Sequence, residues 1–160
     1  VLSIYPEILE NIKLKFGAEF FNEDGTLKRR LLGDYVFKSN DRKKELEDII
    51  MPFIKKEIFK RLKEYEISGE KVCILEAPTL IENDFSKFMD INILVWVDKN
   101  TQINRVKCRD NMSYDDVVDR INSQMQLDEK KKFVDIVIDN TGSFDMTQEQ
   151  VKKVINLLGV

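Results

Sequence analysis

The sequence predicts an α/β fold in which helices surround a parallel sheet, with a helical lobe in front of it. Two observations carry this. From Pro6 to about Leu62 the apolar residues recur at helical spacing. After Gly69 the period changes to that of short strands rich in β-branched residues, with helical stretches between them.

In chain order, the helical pattern opens at Pro6, and Ile8, Ile12 and Phe16 are spaced by four along it. Asn22-Glu23-Asp24-Gly25 is a turn signal. Leu46, Ile49, Ile50, Phe53, Ile54, Ile58 and Leu62 form a second helical stripe, within which Pro52 should begin a helix or kink one. Strands are expected at Lys71–Leu75, Ile91–Val97 and Phe133–Ile138. Helices are expected near Thr101–Arg109, from Ser113 onward, and from about Asp145 to Leu158. Ser113 and Asp116 resemble a capping box with Asp in place of Glu, and Val117, Val118, Ile121 and Met125 give that helix an apolar face.

With 160 residues, 42% of them hydrophobic, the chain is long enough for one domain with a real core, and a second independent core is not expected. Lys and Arg total 26 against 29 Asp and Glu, a net charge of −3, which argues against a general nucleic-acid or membrane-surface binder. An anionic ligand must therefore find a local basic patch. No apolar run approaches bilayer length and no signal-peptide pattern opens the chain, so a cytoplasmic protein is expected. Cys73 and Cys108 have neither metal-ligand nor disulfide-framework spacing. The absence of histidine removes the commonest general base and excludes most hydrolase triads.

Four stretches are candidates for chemistry, and none is specific alone. Glu76-Ala-Pro78-Thr-Leu80-Ile-Glu82-Asn83 follows a predicted strand, where open α/β sheets collect ligands, although solvated carboxylates at a strand exit are the simpler account. Lys99–Arg109 carries Lys99, Arg105, Lys107 and Arg109 and no acid. Arg105 and Arg109, four apart, could clamp a phosphate from one helix face, or pair with Asp110, Asp115 or Asp116 in solvent. In Asp135–Gly142 a strand runs into an Asx and Gly turn, where Asn140 could meet a nucleobase edge and Gly142 permits close approach, or the turn serves only the chain. Arg29 and Arg30, after the Gly25 turn, suit an anion or equally solvent.

Taken in order, these stretches resemble the successive signatures of dephospho-coenzyme A kinases, and the match runs nearly end to end. Phe16-Gly17, Gly25–Arg29, Val36-Phe37 and Leu46–Pro52 resemble the family's helical region, and Pro78–Glu82 resembles its proline-to-glutamate signature. Arg105, Arg109-Asp110, Arg120-Ile121, Gln124-Met125 and Glu129-Lys130 resemble its lid, and Val137–Asn140 with Gly142 its closing turn. Met51 stands where the family usually has histidine, Thr79 where it has leucine, and Phe133 where alanine is common. No GxxxxGK[ST] pattern is present among Gly17, Gly25, Gly33, Gly69, Gly142 and Gly159. The opening Val1–Pro6 reads like the middle of a protein. By the resemblance, roughly forty residues carrying the first strand and phosphate loop are expected before it.

The resemblance implies a three-layer P-loop kinase core with an inserted helical substrate lobe and a helical lid. Residues 1–160 would be a single domain lacking its first strand and loop, with 5–66 the substrate lobe, 71–98 and 133–160 the core, and 99–132 the lid. It implies phosphorylation of the ribose 3′-hydroxyl of dephospho-coenzyme A by ATP with Mg²⁺, the last step of coenzyme A synthesis. Arg105 and Arg109 would be catalytic; Arg29, Pro78, Leu80 and Glu82 would bind the acceptor; Asn140 and Gly142 would bind the nucleotide; no residue is assigned to metal. The partners are then small molecules, dephospho-coenzyme A and ATP, with no nucleic acid or membrane and an oligomeric state left open. The 160 residues alone are expected to be inactive. Two rivals stand beside this: a nucleoside-monophosphate or shikimate-like kinase, and a degenerate homologue that binds without catalysis.

Overall fold

Proline at the start of α1 (Pro6–Phe16) lacks only an N–H that would have no helical partner, and its fixed φ suits the first turn. In the computed structural model, which describes residues 2–36 and 38–159, Ile8 and Ile12 of this helix are fully buried, as their spacing requires. Gly17, at φ +109, ends the helix in a conformation that an L side chain rarely adopts. A 3₁₀ turn at Ala18–Phe20 follows. The chain then reverses through Asn22–Gly25, with Phe21 bridged antiparallel to Leu27 and the Asp24 carboxylate accepting from both the N–H and the hydroxyl of Thr26. Helix α2 (Arg29–Val36) buries Leu32 and Val36. Phe37, which the family resemblance pairs with Val36, lies outside the described residues, as do Val1 and Val160.

Helix α3 (Asn40–Ile67) runs for 28 residues through Pro52 without interruption. Proline removes one backbone hydrogen bond there. Leu46, Ile49 and Ile50 before it and Phe53 after it all pack on the cluster of Ile8, Ile12, Phe20, Phe21, Leu32 and Val36, so the apolar stripe holds the helix on both sides of the break. Glu57, buried beside this cluster, accepts from the Tyr5 hydroxyl at 3.1 Å and from Arg61 Nε at 2.8 Å.

The chain forms two compact units, one up to Cys73 and one from Ile74. In the second, β1 (Ile93–Trp96) and β2 (Ile136–Asp139) pair in parallel, Ile93 opposite Ile136 and Trp96 opposite Asp139. Between them lie α4 (Lys99–Asp110), α5 (Tyr114–Asn122) and α6 (Leu127–Lys130), and after them α7 (Phe144–Leu158). Ile103 of α4 and Val117 and Ile121 of α5 form a second hydrophobic cluster. Leu94 and Ile138 are buried in the sheet, whereas Ile93, Val95 and Val137 are exposed. No described helix is long and apolar enough to cross a membrane.

The expected parallel sheet and alternating helices are present, but the strand expected at Lys71–Leu75 is absent. β-Branched residues there give a local preference only, and a strand needs a hydrogen-bonded neighbour. None of the described strands pairs with it, and Val72 and Ile74 face solvent. The third expected strand is shifted: Lys131–Phe133 forms a 3₁₀ turn, and pairing begins at Ile136. The helix begun at Ser113 ends at Asn122, so Met125 lies beyond its apolar face.

Candidate active site

Parallel pairing brings the carboxyl ends of β1 and β2 side by side, and each runs directly into a helix. Asp98 caps α4 by accepting from Thr101 N at 3.0 Å, and its own N–H donates to the Thr141 hydroxyl at 3.3 Å. Asp139 accepts from Thr141 N at 2.8 Å, while Gln150 of α7 bonds both the N–H and the carbonyl of Asp139. The Thr101 hydrogen bonds, side-chain first, hold the Asp98 carboxyl below its ordinary range, and the Thr141 N–H does the same for Asp139. Both carboxylates are therefore engaged in shaping the two strand-to-helix turns.

Asn140 lies at the centre of this arrangement. Its N–H donates to Trp96 O at 2.7 Å, its carbonyl accepts from Arg105 Nη1 at 2.8 Å, and its side-chain carbonyl accepts from the Thr147 hydroxyl at 3.0 Å. The Asn140 side-chain NH₂ has no partner among the described residues. Arg105 and Asn140, distant in sequence, are thus brought together. A methyl group on Gly142 would meet Met146 Sδ at 2.9 Å, so this glycine makes room for the first turn of α7. Beneath the same edge, Trp96 Nε1 donates to Asp128 at 3.0 Å, and Lys131 sits 3.5 Å from the indole centroid while pairing with Asp128 at 2.9 Å.

Arg109 is not brought to Asn140 with Arg105. It lies alongside Asp110, Nε to Oδ1 at 2.7 Å and Nη2 to Oδ2 at 2.9 Å, and Arg120 Nη1 of α5 reaches the same carboxylate at 2.8 Å. The hydrogen bond from Arg109 is the main cause holding the Asp110 carboxyl below its usual range.

Pro78–Asp84 is a turn in which Asp84 takes the left-handed conformation. Lys130 of α6 enters beneath it: Nζ donates to Pro78 O at 2.6 Å and pairs with Glu82 Oε1 at 2.9 Å, and Met125 N donates to the same oxygen at 3.2 Å. Leu80 is half-buried, its carbonyl bonded to Phe85 N, and Glu76 is exposed. In the first unit Arg29 opens α2 and, with Lys28, Arg30, Leu31 and Asp34, lines an open depression.

The sequence pattern of the dephospho-CoA kinase family matches residues 3–146. The dephospho-CoA kinase of Clostridium tetani is 45% identical over 159 residues, 99% of this chain and 70% of that protein. That of Clostridium perfringens is 44% identical over 151 residues, 94% of this chain and 76% of that protein. This chain belongs to the dephospho-CoA kinase family. Two solved structures agree with the fold: TT1252 from Thermus thermophilus, with a TM-score of 0.73 and 28% identity over 96% of this chain and 78% of that one, and the dephospho-CoA kinase from Campylobacter jejuni, with 0.64 and 27% over 94% and 76%.

Against the pattern of dephospho-CoA kinases, Thr79 in place of leucine is explained locally: its carbonyl and its hydroxyl both accept from Asn83 Nδ2, at 2.9 and 3.0 Å, which tightens the Pro78–Glu82 turn. Phe133 sits exposed at the 3₁₀ turn, where its bulk meets solvent. Sequence reasoning did not single out Thr147, Gln150 or Lys131, and it met Lys130 only as part of the family lid. Lys130 stands in a run of three lysines, and nothing in that run marks the one that turns inward.

Proposed function

We propose that this chain supplies the acceptor, lid and base-contacting parts of a dephospho-coenzyme A kinase. In the complete polypeptide the γ-phosphoryl group of ATP passes to the ribose 3′-hydroxyl of dephospho-coenzyme A. The observation that carries this is the identity of 45% to a dephospho-CoA kinase along 99% of the chain. The rest of the expected architecture, a three-layer P-loop core with the helical lobe and the lid, belongs to the same reading.

Phosphoryl transfer rests on positioning and charge neutralisation, so the basic groups of α4 are its natural instruments. Arg105, tied through Nη1 to the Asn140 carbonyl, acts with Arg109 on the transferring phosphates, and the free side-chain NH₂ of Asn140 is a donor suited to an acceptor nitrogen of the base. Gly142 keeps the backbone beside it accessible. Arg109, held by Asp110, presents its guanidinium at the end of α4 for the transferring group. Mg²⁺ bound to the ATP phosphates would neutralise charge on them. Glu82, with Pro78 and Leu80, is assigned by the family resemblance to acceptor contact. Arg29, which opens α2 in a depression shared with Lys28 and Arg30, is assigned by the same resemblance to a phosphate of the acceptor.

The test is ATP-dependent conversion of dephospho-coenzyme A to coenzyme A by the complete protein, with nucleoside monophosphates and shikimate as alternative acceptors. Turnover of dephospho-coenzyme A alone is expected. Binding without turnover would support the degenerate homologue, and preference for another acceptor would support a different small-molecule kinase. For Arg29, a charge-assisted contact contributes roughly 1.5 to 3 kcal/mol, so Arg29→Ala should weaken dephospho-coenzyme A binding by about ten- to a hundredfold in calorimetry and leave ATP binding unchanged. Equal loss for both ligands would make Arg29 a residue of the fold.

A further inference from the structure

Lys130 is the one lysine in the second unit found buried, at 5% exposure, and its ammonium is directed at two points of a single loop. It donates to the carbonyl of Pro78, where the turn begins, and pairs with the carboxylate of Glu82, near where it ends. Its neighbours do otherwise: Lys131 lies over Trp96, and Lys132 is exposed. The Glu82 oxygen that receives Lys130 also accepts from Met125 N, so loop, α6 and the segment after α5 meet at one atom. The other oxygen of Glu82 has no partner among the described residues, and the side chain remains 22% exposed. It can still accept from a hydroxyl or amide of a ligand.

We infer that Lys130 is a positioning residue for the acceptor, fixing the Pro78–Glu82 loop so that the second oxygen of Glu82 faces the bound molecule. A buried ammonium and its carboxylate depend on each other, because either alone would be left charged without a counter-charge. Without Lys130, the Pro78 carbonyl loses its donor and Glu82 keeps only the Met125 N–H to hold its Oε1 in place. The loop then has to be ordered by the acceptor itself, and that cost falls on acceptor affinity and not on ATP. The inference rests on the reading that this loop contacts the acceptor.

The experiment uses the complete enzyme and its Lys130→Met, Lys130→Arg, Glu82→Gln and Lys130→Met/Glu82→Gln variants, with initial rates over both substrates and a melting temperature for each. We expect Lys130→Met to raise KM for dephospho-coenzyme A by about tenfold or more and to leave KM for ATP within about twofold. Lys130→Arg should recover part of the loss, and the double variant should fall short of the product of the two singles, as coupled residues do. Should Lys130→Met not fold, Lys130→Gln decides by the same split between the two KM values. Unchanged KM values, or equal rises for both substrates with a lowered melting temperature, would make Lys130 a packing residue and overturn the inference. If wild-type enzyme binds dephospho-coenzyme A and Glu82→Gln raises its KM but no Lys130 variant does, the inference alone fails. If wild type does not bind dephospho-coenzyme A, the functional reading fails and the inference with it.

Discussion

Asp110 accepts from two arginines at once, and this sets what Arg109 can do. A guanidinium held by a neighbouring carboxylate is aimed but partly neutralised, so its value for catalysis lies in a geometry fixed before substrate arrives. If Arg109 acts on charge that develops during transfer, Arg109→Ala in the complete enzyme should lower kcat by on the order of 100-fold with little change in KM for dephospho-coenzyme A. Asp110→Asn should lower kcat less, since the arginine remains and only its aim is loosened. Steady-state kinetics separates these, and an unchanged kcat for Arg109→Ala would return the residue to a solvated ion pair. The ion pair of Arg109 with Asp110 was legible in the sequence, because the acid beside it is visible in one dimension. The sequence could not say that Arg105 would meet the carbonyl of Asn140, a contact made by chain topology and not by any motif. Nor could it distinguish Lys130 from the lysines that follow, since burial at that position depends on a loop some fifty residues earlier.

Helix α5 shows how far an element can be read from its own residues. Ser113 accepts from Asp116 N at 3.2 Å, as the capping pattern indicated, but its hydroxyl also donates to the Asp116 carboxylate in place of the reciprocal bond to a backbone N–H. Ser113→Ala should cost about 1 kcal/mol, with the loss concentrated in α5 and its Val117 and Ile121 contacts. Hydrogen exchange should show faster α5 amides and unchanged α1 amides. A uniform loss would mean that the cap serves more than its own helix. The helices were legible because periodicity and caps are local. The segment at Lys71–Leu75 was misread because strand formation depends on a partner, and its residues report only that they would suit one. Pro52 was legible as a perturbation but not in its outcome, since the packing of Leu46, Ile49, Ile50 and Phe53 decides whether the helix continues.

Across the whole chain the charges nearly cancel, so response to pH comes from particular pairs and not from general repulsion. Carboxyls in both units are held below their ordinary range: Glu57 chiefly by the hydrogen bond from Arg61, and Asp98, Asp110, Asp128 and Asp139 by hydrogen bonds from Thr101, Arg109, Lys131 and Thr141. A carboxyl with a lower folded-state pKa contributes stability that is complete above its unfolded value, near 4, and is lost as pH falls through the folded value. Tyr5 works at the other end, raised first by removal from water and then by the Glu57 hydrogen bond, so its contribution is complete below about pH 10 and is lost above it. Glu57 therefore shapes both limbs of the profile. We expect urea midpoints, followed by the helical circular dichroism signal, to be level from about pH 5 to 9 and to fall on either side. Glu57→Gln keeps a partner for the Tyr5 hydroxyl but removes the charge that Arg61 and Lys60 favour. The variant should be less stable than wild type at neutral pH, converge with it as pH falls through the lowered folded-state value of Glu57, and lose stability less steeply than wild type in acid. Parallel acid limbs with a constant offset would show that Glu57 contributes through packing and hydrogen bonding alone.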